Sequence, residues 1–442
     1  MKTPEDFLRD NGFVSGDEID RDALIATFMS EMENGLAGRP SSLPMIPSYI
    51  GVDGKVPQGA KAAVLDAGGT NFRSGIVTIP PAVENRENRP MPGVKAEVGT
   101  EDFYSVLAAE VRRVRPLATV DKVGFCFSYP AEATADLDAR LMRWTKGIKA
   151  PGIVGQFVGK ELMSRLGGGK IAIVNDTVAT LLAAKATEGD REYSSYLGFI
   201  LGTGTNTAYV ERNENILKLS GLDPAGKMII NAESGSFNKI GRSAFDDAMD
   251  AKTLTPGSNR FEKMISGAYL GPIGLEIYKA AVKEGYFSRD TASKLAGLKT
   301  LETMDFDNFV AGLKKAGREN PLDAVFADAT DAKLARRFGL PVFERAAALT
   351  AVHLAAFVIK TGEGVSASSP VAINADGSTY YKTRSIPFAD CVRRDLDDIL
   401  VRRRNIHYEI TPQLEDAPMV GAGIAAMLGD QEQEVDEDEQ MP

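Results

Sequence analysis

Apolar residues recur along the chain with two spacings. Over 21–34 (RDALIATFMSEMEN), Leu24, Ile25, Phe28, Met29 and Met32 fall three and four apart, which predicts one buried helical face. Gly35 then stands where a helix stop is expected. From Gly38 to Lys61, Pro, Ser and Gly are frequent, and the segment reads as loop with short strands. AAVLDAGGTNFRSGIVTI (62–79) is an apolar run, a glycine turn and an alternating run, the signal of a hairpin. YLGFILGTGTNTAYVE (196–211) has the same shape, and Gly69-Thr70-Asn71 matches Gly204-Thr205-Asn206 at an offset of 135 residues. A strand, a Gly-Thr turn and a second strand, duplicated in this way, predict two related lobes facing each other.

Between the hairpins, KVGFCFSYP (122–130) and KIAIVNDTVATLLAAK (170–185) each read as a buried strand, the second running straight into a helix. After residue 240 the pattern is mainly helical, with one late strand and turn in PVAINADGSTYYK (370–382). Ala346 to Ile359 is apolar apart from Thr350 and His353 and too short to span a bilayer. It reads as a buried helix, with Pro341 suiting its entry and Gly362 its stop. No linker separates independent modules, so the expectation is a mixed α/β protein of two lobes built from one chain.

Length and charge narrow the picture. A chain of 442 residues predicts two or three domains and a core that needs no staples. The two cysteines, Cys126 and Cys391, exclude a disulfide framework and a four-cysteine zinc site. The two histidines, His353 and His407, lie far apart, which argues against HExxH zinc hydrolases and Ser-His-Asp hydrolases. Net charge is −10, but seven acids and no base stand between Asp430 and Glu439, so the body is nearly balanced. A basic footprint for nucleic acid is absent. The acidic end reads as a solvated terminus, with an interaction tail as the alternative. The N-terminal MKTPEDFLRD lacks an apolar signal core, and the expected location is cytoplasmic, with no membrane partner.

Four segments carry candidate chemistry. In Asp66-Ala67-Gly68-Gly69-Thr70-Asn71 the glycines let backbone N–H groups approach an anion, and Thr70 and Asn71 add side-chain donors. Asp66 at the strand end is placed to orient a phosphate-bound Mg²⁺ through water, and Arg73 adds positive charge. A bare Gly-Gly hairpin is otherwise only a turn. Leu201-Gly202-Thr203-Gly204-Thr205-Asn206 offers the same chemistry, although it is neither a dinucleotide fingerprint nor a Walker A loop. Two such loops can grip a triphosphate from both sides. Asn175-Asp176-Thr177 puts a carboxylate at a strand–helix junction, where it either caps the helix or serves as base for phosphoryl transfer to a hydroxyl. Trp144-Thr145-Lys146-Gly147 is either a packed aromatic before a surface turn or, through Thr145 and Lys146, a binder of a polyhydroxy ligand.

In this order the motifs resemble the hexokinase family, the sugar kinases of the actin-like superfamily. LDAGGTNFR (65–73) and LGTGTN (201–206) resemble its two phosphate motifs, and FSYP (127–130) with WTKGI (144–148) its sugar-binding segment. VNDTVATL (174–181) resembles its catalytic-base segment and ADGSTYYK (375–382) its adenosine segment. MENGLAGRPSSLPMIPSY (32–49) and FEKMISGAYLG (261–271) also match, and the similarity runs from roughly residue 20 to residue 428. The resemblance implies an α/β, two-lobed, actin-like (ribonuclease H-like) fold with a central cleft that closes on the sugar. Residues 1–60 and 181–420 would form the large lobe, 61–180 and 421–430 the small lobe, and 431–442 an acidic disordered tail.

The resemblance further implies an ATP-dependent hexokinase with a single catalytic unit. It would transfer the γ-phosphate of Mg-ATP to the 6-hydroxyl of a hexose such as glucose, feeding glycolysis. By position, the catalytic base falls on Asp176, and the sugar contacts fall on Ser128, Thr145, Lys146, Asn175, Asn206 and Glu233. Phosphate and Mg²⁺ elements fall on Asp66 (the metal through water), Gly68, Gly69, Thr70, Asn71, Arg73, Gly202, Thr203 and Gly204. Near the adenosine, Gly377, Ser378 and Gly421 match.

The chain also departs from the family pattern. After YLG the family usually carries a glutamate that binds sugar hydroxyls; here Pro272 stands, with Glu276 one helical turn on as a candidate substitute. Ser234 replaces a typical tryptophan, Phe343 a common serine near the nucleotide, and Met419 a glycine near the adenosine. Pro272 supports an alternative, a non-catalytic hexose or nucleotide sensor on the same fold. A filament-forming actin-like ATPase is a third reading, against which the WTKG and NDT segments stand. No oligomeric state follows from the sequence.

Overall fold

The computed structural model describes residues 2–54, 56–186, 191–314 and 319–428; the acidic segment at 431–442 lies outside them. Its strands, in chain order, are β1 (Ile46–Pro47), β2 (Lys61–Ala67), β3 (Asn71–Thr78), β4 (Ala82–Pro90), β5 (Val123–Phe127), β6 (Ala131–Ala133) and β7 (Ala139–Leu141). There follow β8 (Ile171–Val174), β9 (Ser195–Leu201), β10 (Thr205–Arg212), β11 (Lys227–Asn231), β12 (Val371–Asp376) and β13 (Tyr408–Ile410). The chain divides into two compact units. One holds Met1–Met45, Tyr193–Thr207 and Ala232–Ile410; the other holds Ile46–Glu192, Ala208–Asn231 and Thr411–Pro442. The segments 46–60, 181–192, 208–231 and 411–420 thus fall in the second of these units.

That second unit is built on a sheet of order β4-β3-β2-β5-β8. The first hairpin supplies β2 and β3 as an antiparallel pair in a register that sets Asp66 opposite Arg73. β5 runs parallel to β2, and β8 parallel to β5. The Thr100–Val114 helix packs on β2 and β3, and its apolar stripe joins a core that includes Phe103, Leu107, Phe125 and Phe127. The Ala417–Leu428 helix packs on β2, β5 and β8 and along the Asp176–Ala186 helix. It is apolar all round, as a helix buried on every side must be. Gly421 makes that crossing possible, because a Cβ there would lie 1.8 Å from the Ala179 carbonyl oxygen.

In the first unit, β9, β12 and β13 are parallel neighbours. Pairing of Asp376 with Ile200 brings the strand ends at 201 and 377 side by side. The unit's core is the Ala329–Thr361 helix, against which the Arg21–Leu36, Leu270–Lys283 and Phe388–Leu396 helices pack. By length and composition Ala329–Thr361 is apolar enough to cross a bilayer, but 89% of its most apolar window is buried within the protein, which makes it a core helix.

Three local expectations are corrected. Pro341 lies inside this helix instead of at its entry, which is capped by the Asp328 carboxylate accepting from the N–H groups of Thr330 and Asp331. Proline removes one rung there, and the buried faces on both sides of it hold the helix continuous. Gly35 is inside the Arg21–Leu36 helix and serves close approach, since a Cβ would meet the Leu43 carbonyl oxygen at 2.3 Å. The segment after β12 is a short helix, Ser378–Lys382, and a further strand, β13, follows it.

Candidate active site

Each unit presents its predicted residues on strand ends and turns. In the second unit Asp66 is buried at the end of β2, and Arg73 reaches it across the register, donating from Nε to Oδ2 at 2.6 Å. The same guanidinium donates from Nη1 to Asp416 Oδ1 at 2.8 Å, and Arg86 holds the other Asp416 oxygen at 2.6 Å. Arg73 is therefore engaged by two carboxylates. Asp66 Oδ1 is buried without a hydrogen-bond partner. Burial pushes the Asp66 carboxyl above the usual carboxylate range against the pull of Arg73, and the nearby charge of Asp176 adds to the rise. A buried, orphaned carboxylate oxygen at a glycine turn fits a hydrated cation.

The turn after β2 is tied down by its carbonyls. Tyr129 donates to the Gly69 carbonyl at 2.7 Å, and Lys146 Nζ reaches the carbonyls of Gly68 (3.2 Å) and Ser128 (3.1 Å). The structure thus brings Gly68, Gly69, Ser128 and Lys146 together, and Asn71 follows at the start of β3. Thr70 leads into the same strand, its carbonyl accepting from Met91. Trp144 packs against Phe103, Phe127 and Tyr129 and donates to the Ala150 carbonyl at 2.6 Å. The tryptophan is partly buried against the core and leads into the Thr145-Lys146-Gly147 turn, in which Lys146 and Gly147 are exposed and Lys146 adopts φ +59°.

At the β8–helix junction the capping question resolves by residue. Asn175 Oδ1 accepts the Thr177 N–H at 2.8 Å and is the helix cap. Asp176 is the first helical residue, and its carboxylate receives only a 3.3 Å contact from the Thr177 hydroxyl. Asp176 is not used to cap the helix. Gly421, assigned from sequence to the nucleotide, is buried at the helix crossing described above, where its bare Cα is explained by packing.

In the first unit the second Gly-Thr turn is closed by the Gly202 N–H donating to the Gly204 carbonyl at 2.9 Å. It is braced from behind: Gly267 N–H and Thr379 Oγ1 donate to the Gly202 carbonyl, and Ala268 N–H and Ser266 Oγ to that of Thr203. The Thr203 side chain is exposed. Gly377 and Ser378 lie directly against Gly202, and Gly377 adopts φ +114°, with no room for a Cβ beside Leu201. Three predicted elements thus meet at the ends of β9 and β12. Glu262 accepts the Thr205 N–H at 3.0 Å and holds the turn from its other side, a contact the sequence reading did not anticipate.

Asn206 is the second residue of β10, and Glu233 precedes a single helical turn in the left-handed region, φ +52°. Lys146 and Glu233 are both non-glycine residues at positive φ, a strain of roughly 1–3 kcal/mol each that this chain also carries at Met45, Tyr49 and Leu137. Glu276, one helical turn beyond Pro272, pairs with the exposed Lys252 at 2.5 Å. Phe343 stacks on Phe306 in the core, and Met419 is fully buried. Among the described residues no cluster of three or more His, Cys, Asp or Glu side chains could hold a metal by protein ligands alone.

A helix-leading carboxylate not used as a cap in one unit, and a braced Gly-Thr turn in the other, are parts that a phosphoryl-transferring kinase requires. Models of the hexokinase family match residues 16–186 and 196–428. Hexokinase-5 of Oryza sativa subsp. japonica is 32% identical over 92% of this chain and 86% of its own. Hexokinase-1 of Nicotiana tabacum is 37% identical over 62% of this chain and 59% of its own. A solved hexokinase of Schistosoma mansoni, complexed with glucose, superposes with a TM-score of 0.75 at 26% identity, covering 96% of this chain and 98% of that one. The chain belongs to the hexokinase family, and it is a hexose-phosphorylating kinase.

Proposed function

We propose that the protein is an ATP-dependent hexokinase of the cytoplasm that phosphorylates the 6-hydroxyl of a hexose such as glucose, the entry step of glycolysis. The observation that carries the reading is the division of labour at the β8–helix junction, where Asn175 caps and the Asp176 carboxylate is left for proton transfer. Asp176 accepts the proton of the 6-hydroxyl as that oxygen attacks the γ-phosphorus of ATP. Ser128, Thr145, Lys146, Asn175, Asn206 and Glu233 bind and orient the sugar. Gly68 to Asn71 and Gly202 to Gly204 take the phosphates, and Gly377 with Ser378 the adenosine. Asp66 would hold a Mg²⁺ through water, and the ion would neutralise phosphate charge. Arg73, bound between Asp66 and Asp416, fixes the orientation of the Asp66 carboxylate.

The test is ADP release with Mg-ATP across glucose, fructose, mannose, glucosamine and no sugar, with Asp176→Ala alongside. Sugar-dependent release, lowered by orders of magnitude in the variant while sugar binding persists, is expected. Near-wild-type turnover of Asp176→Ala removes the base from its role. Pro272, which offers no side-chain acceptor where the family pattern has a glutamate, favours a second reading, a hexose sensor without turnover. Silence with every sugar, while glucose still binds by calorimetry, would select it.

A further inference from the structure

The Ala329–Thr361 helix carries His353 into the centre of the first unit, fully buried. Four aromatic rings enclose it, with centroids 5.0 to 5.7 Å from the imidazole: Phe357, Phe261, Phe28 and Phe199. In that cage it makes one hydrogen bond, Nε2 to the Thr207 hydroxyl at 3.1 Å, and Nδ1 has no partner. Burial pushes its pKa down to about 3, so the ring is neutral at any working pH. A polar ring half satisfied in an apolar cage is a poor choice for stability, since phenylalanine fits the same space without desolvating a nitrogen. The cost calls for a return elsewhere.

The return lies along the hydrogen bonds. The Thr207 hydroxyl also receives the Ser234 hydroxyl at 3.3 Å. The N–H groups of Thr207 (2.7 Å) and Ser234 (3.2 Å) both point at Asn206 Oδ1, which fixes the identity of that oxygen and the orientation of the amide. Ser234 directly follows Glu233, whose left-handed backbone is held in the same turn. The two residues whose N–H groups hold Asn206 are thus tied through their buried hydroxyls to each other and to His353.

Resting on the function proposed above, we infer that Ser234, Thr207 and His353 form a buried positioning network that orients Asn206 and Glu233 and thereby sets how tightly and how selectively the hexose is held. Where the family resemblance leads one to expect a tryptophan, this chain uses a polar chain anchored on a core histidine. All three side chains are buried, and none is assigned a sugar contact. Each acts through the orientation of the amide and of the Glu233 backbone.

The experiment uses the full chain and two variants, Thr207→Val and His353→Phe, singly and combined. Thr207→Val keeps the shape and removes the hydroxyl; His353→Phe fills the cage and removes the nitrogen. Hexose Kd by calorimetry and KM for glucose, mannose and fructose are expected to rise about tenfold for each variant. Preference among the sugars is expected to narrow, while KM for Mg-ATP stays put. The double variant is expected to be no worse than the poorer single one. His353→Phe is expected to melt at or above the wild-type temperature, the opposite of what a merely structural histidine would give. Unchanged hexose Kd in both variants, or weakened binding accompanied by a lower melting temperature and a raised KM for Mg-ATP, overturns the inference. A wild-type protein that neither binds nor phosphorylates any hexose overturns the functional reading itself, which separates the two failures.

Discussion

Replacing Gly421 by alanine tests the packing that holds the catalytic helix. The added Cβ would sit 1.8 Å from the Ala179 carbonyl oxygen, whereas real Cβ atoms essentially never approach within 3.0 Å. The Ala417–Leu428 and Asp176–Ala186 helices must therefore separate locally by at least about 1.2 Å, because the obstacle is backbone and has no rotamer to yield. Overpacking of this kind costs about 1–3 kcal/mol, which for a domain of this size lowers the melting temperature by roughly 2–4 °C for each kcal/mol. Ala179 is one turn from Asp176, so the shift reaches the carboxylate. A misplacement of about 1 Å in a reacting group is worth roughly a hundredfold in rate. Thermal melting by circular dichroism and kcat with saturating hexose measure both effects. Gly297→Ala, where the new methyl meets open space at a helix end, is the control. If Gly421→Ala melts and turns over as the wild type does, the backbone approach described here is wrong.

Four further outcomes follow from the same geometry. The Asp246 carboxylate would be raised by burial, but the paired Arg345 and the Ser243 hydrogen bonds more than offset this and hold it below the usual range. Its contribution to stability is therefore present above the unfolded pKa near 4 and lost as the pH falls through the folded value, and acid melts should show it. Asp246→Asn leaves Arg345 buried and partly unmatched, with an expected loss of about 3–5 kcal/mol in urea titration at pH 7. Gly377→Ala puts a methyl 2.3 Å from the Leu201 carbonyl, so KM for Mg-ATP should rise by an order of magnitude or more with hexose Kd unchanged. Asp416→Asn weakens one of the two anchors of Arg73, and the expected result is a higher KM for Mg-ATP and a changed Mg²⁺ dependence of kcat, read from initial rates at varied Mg²⁺.

How much of this was legible beforehand depended on the range of the interactions involved. The two hairpins and the β8–helix junction could be read because alternation, a glycine turn and a helix start are local patterns. The Asp66–Arg73 pair was implicit in the hairpin, since antiparallel register alone sets those residues opposite each other. Asn175 and Asp176 are both good capping residues, and only the folded geometry of the junction distributes the roles. Gly35 and Pro341 misled because each carries a strong local meaning that packing overrode. Lys252 with Glu276, Glu262 beneath the second turn, and the chain from His353 to Asn206 join residues distant in sequence that carry no pattern of their own.

The threading of the chain has a consequence for biosynthesis. The unit carrying Asp66 and Asp176 is assembled from 46–192, 208–231 and 411 onward, so no single stretch of chain contains it. Its Ala417–Leu428 helix seats on β2, β5 and β8, more than two hundred residues after the last of these strands has been made. While the ribosome works through the intervening segment, the apolar faces of those strands and of the Asp176–Ala186 helix wait uncovered, a long-range closure that slows folding and invites aggregation. Neither unit can be expressed as one contiguous fragment. A nascent chain arrested before residue 417 should engage chaperones, whereas one extended past 428 should resist protease.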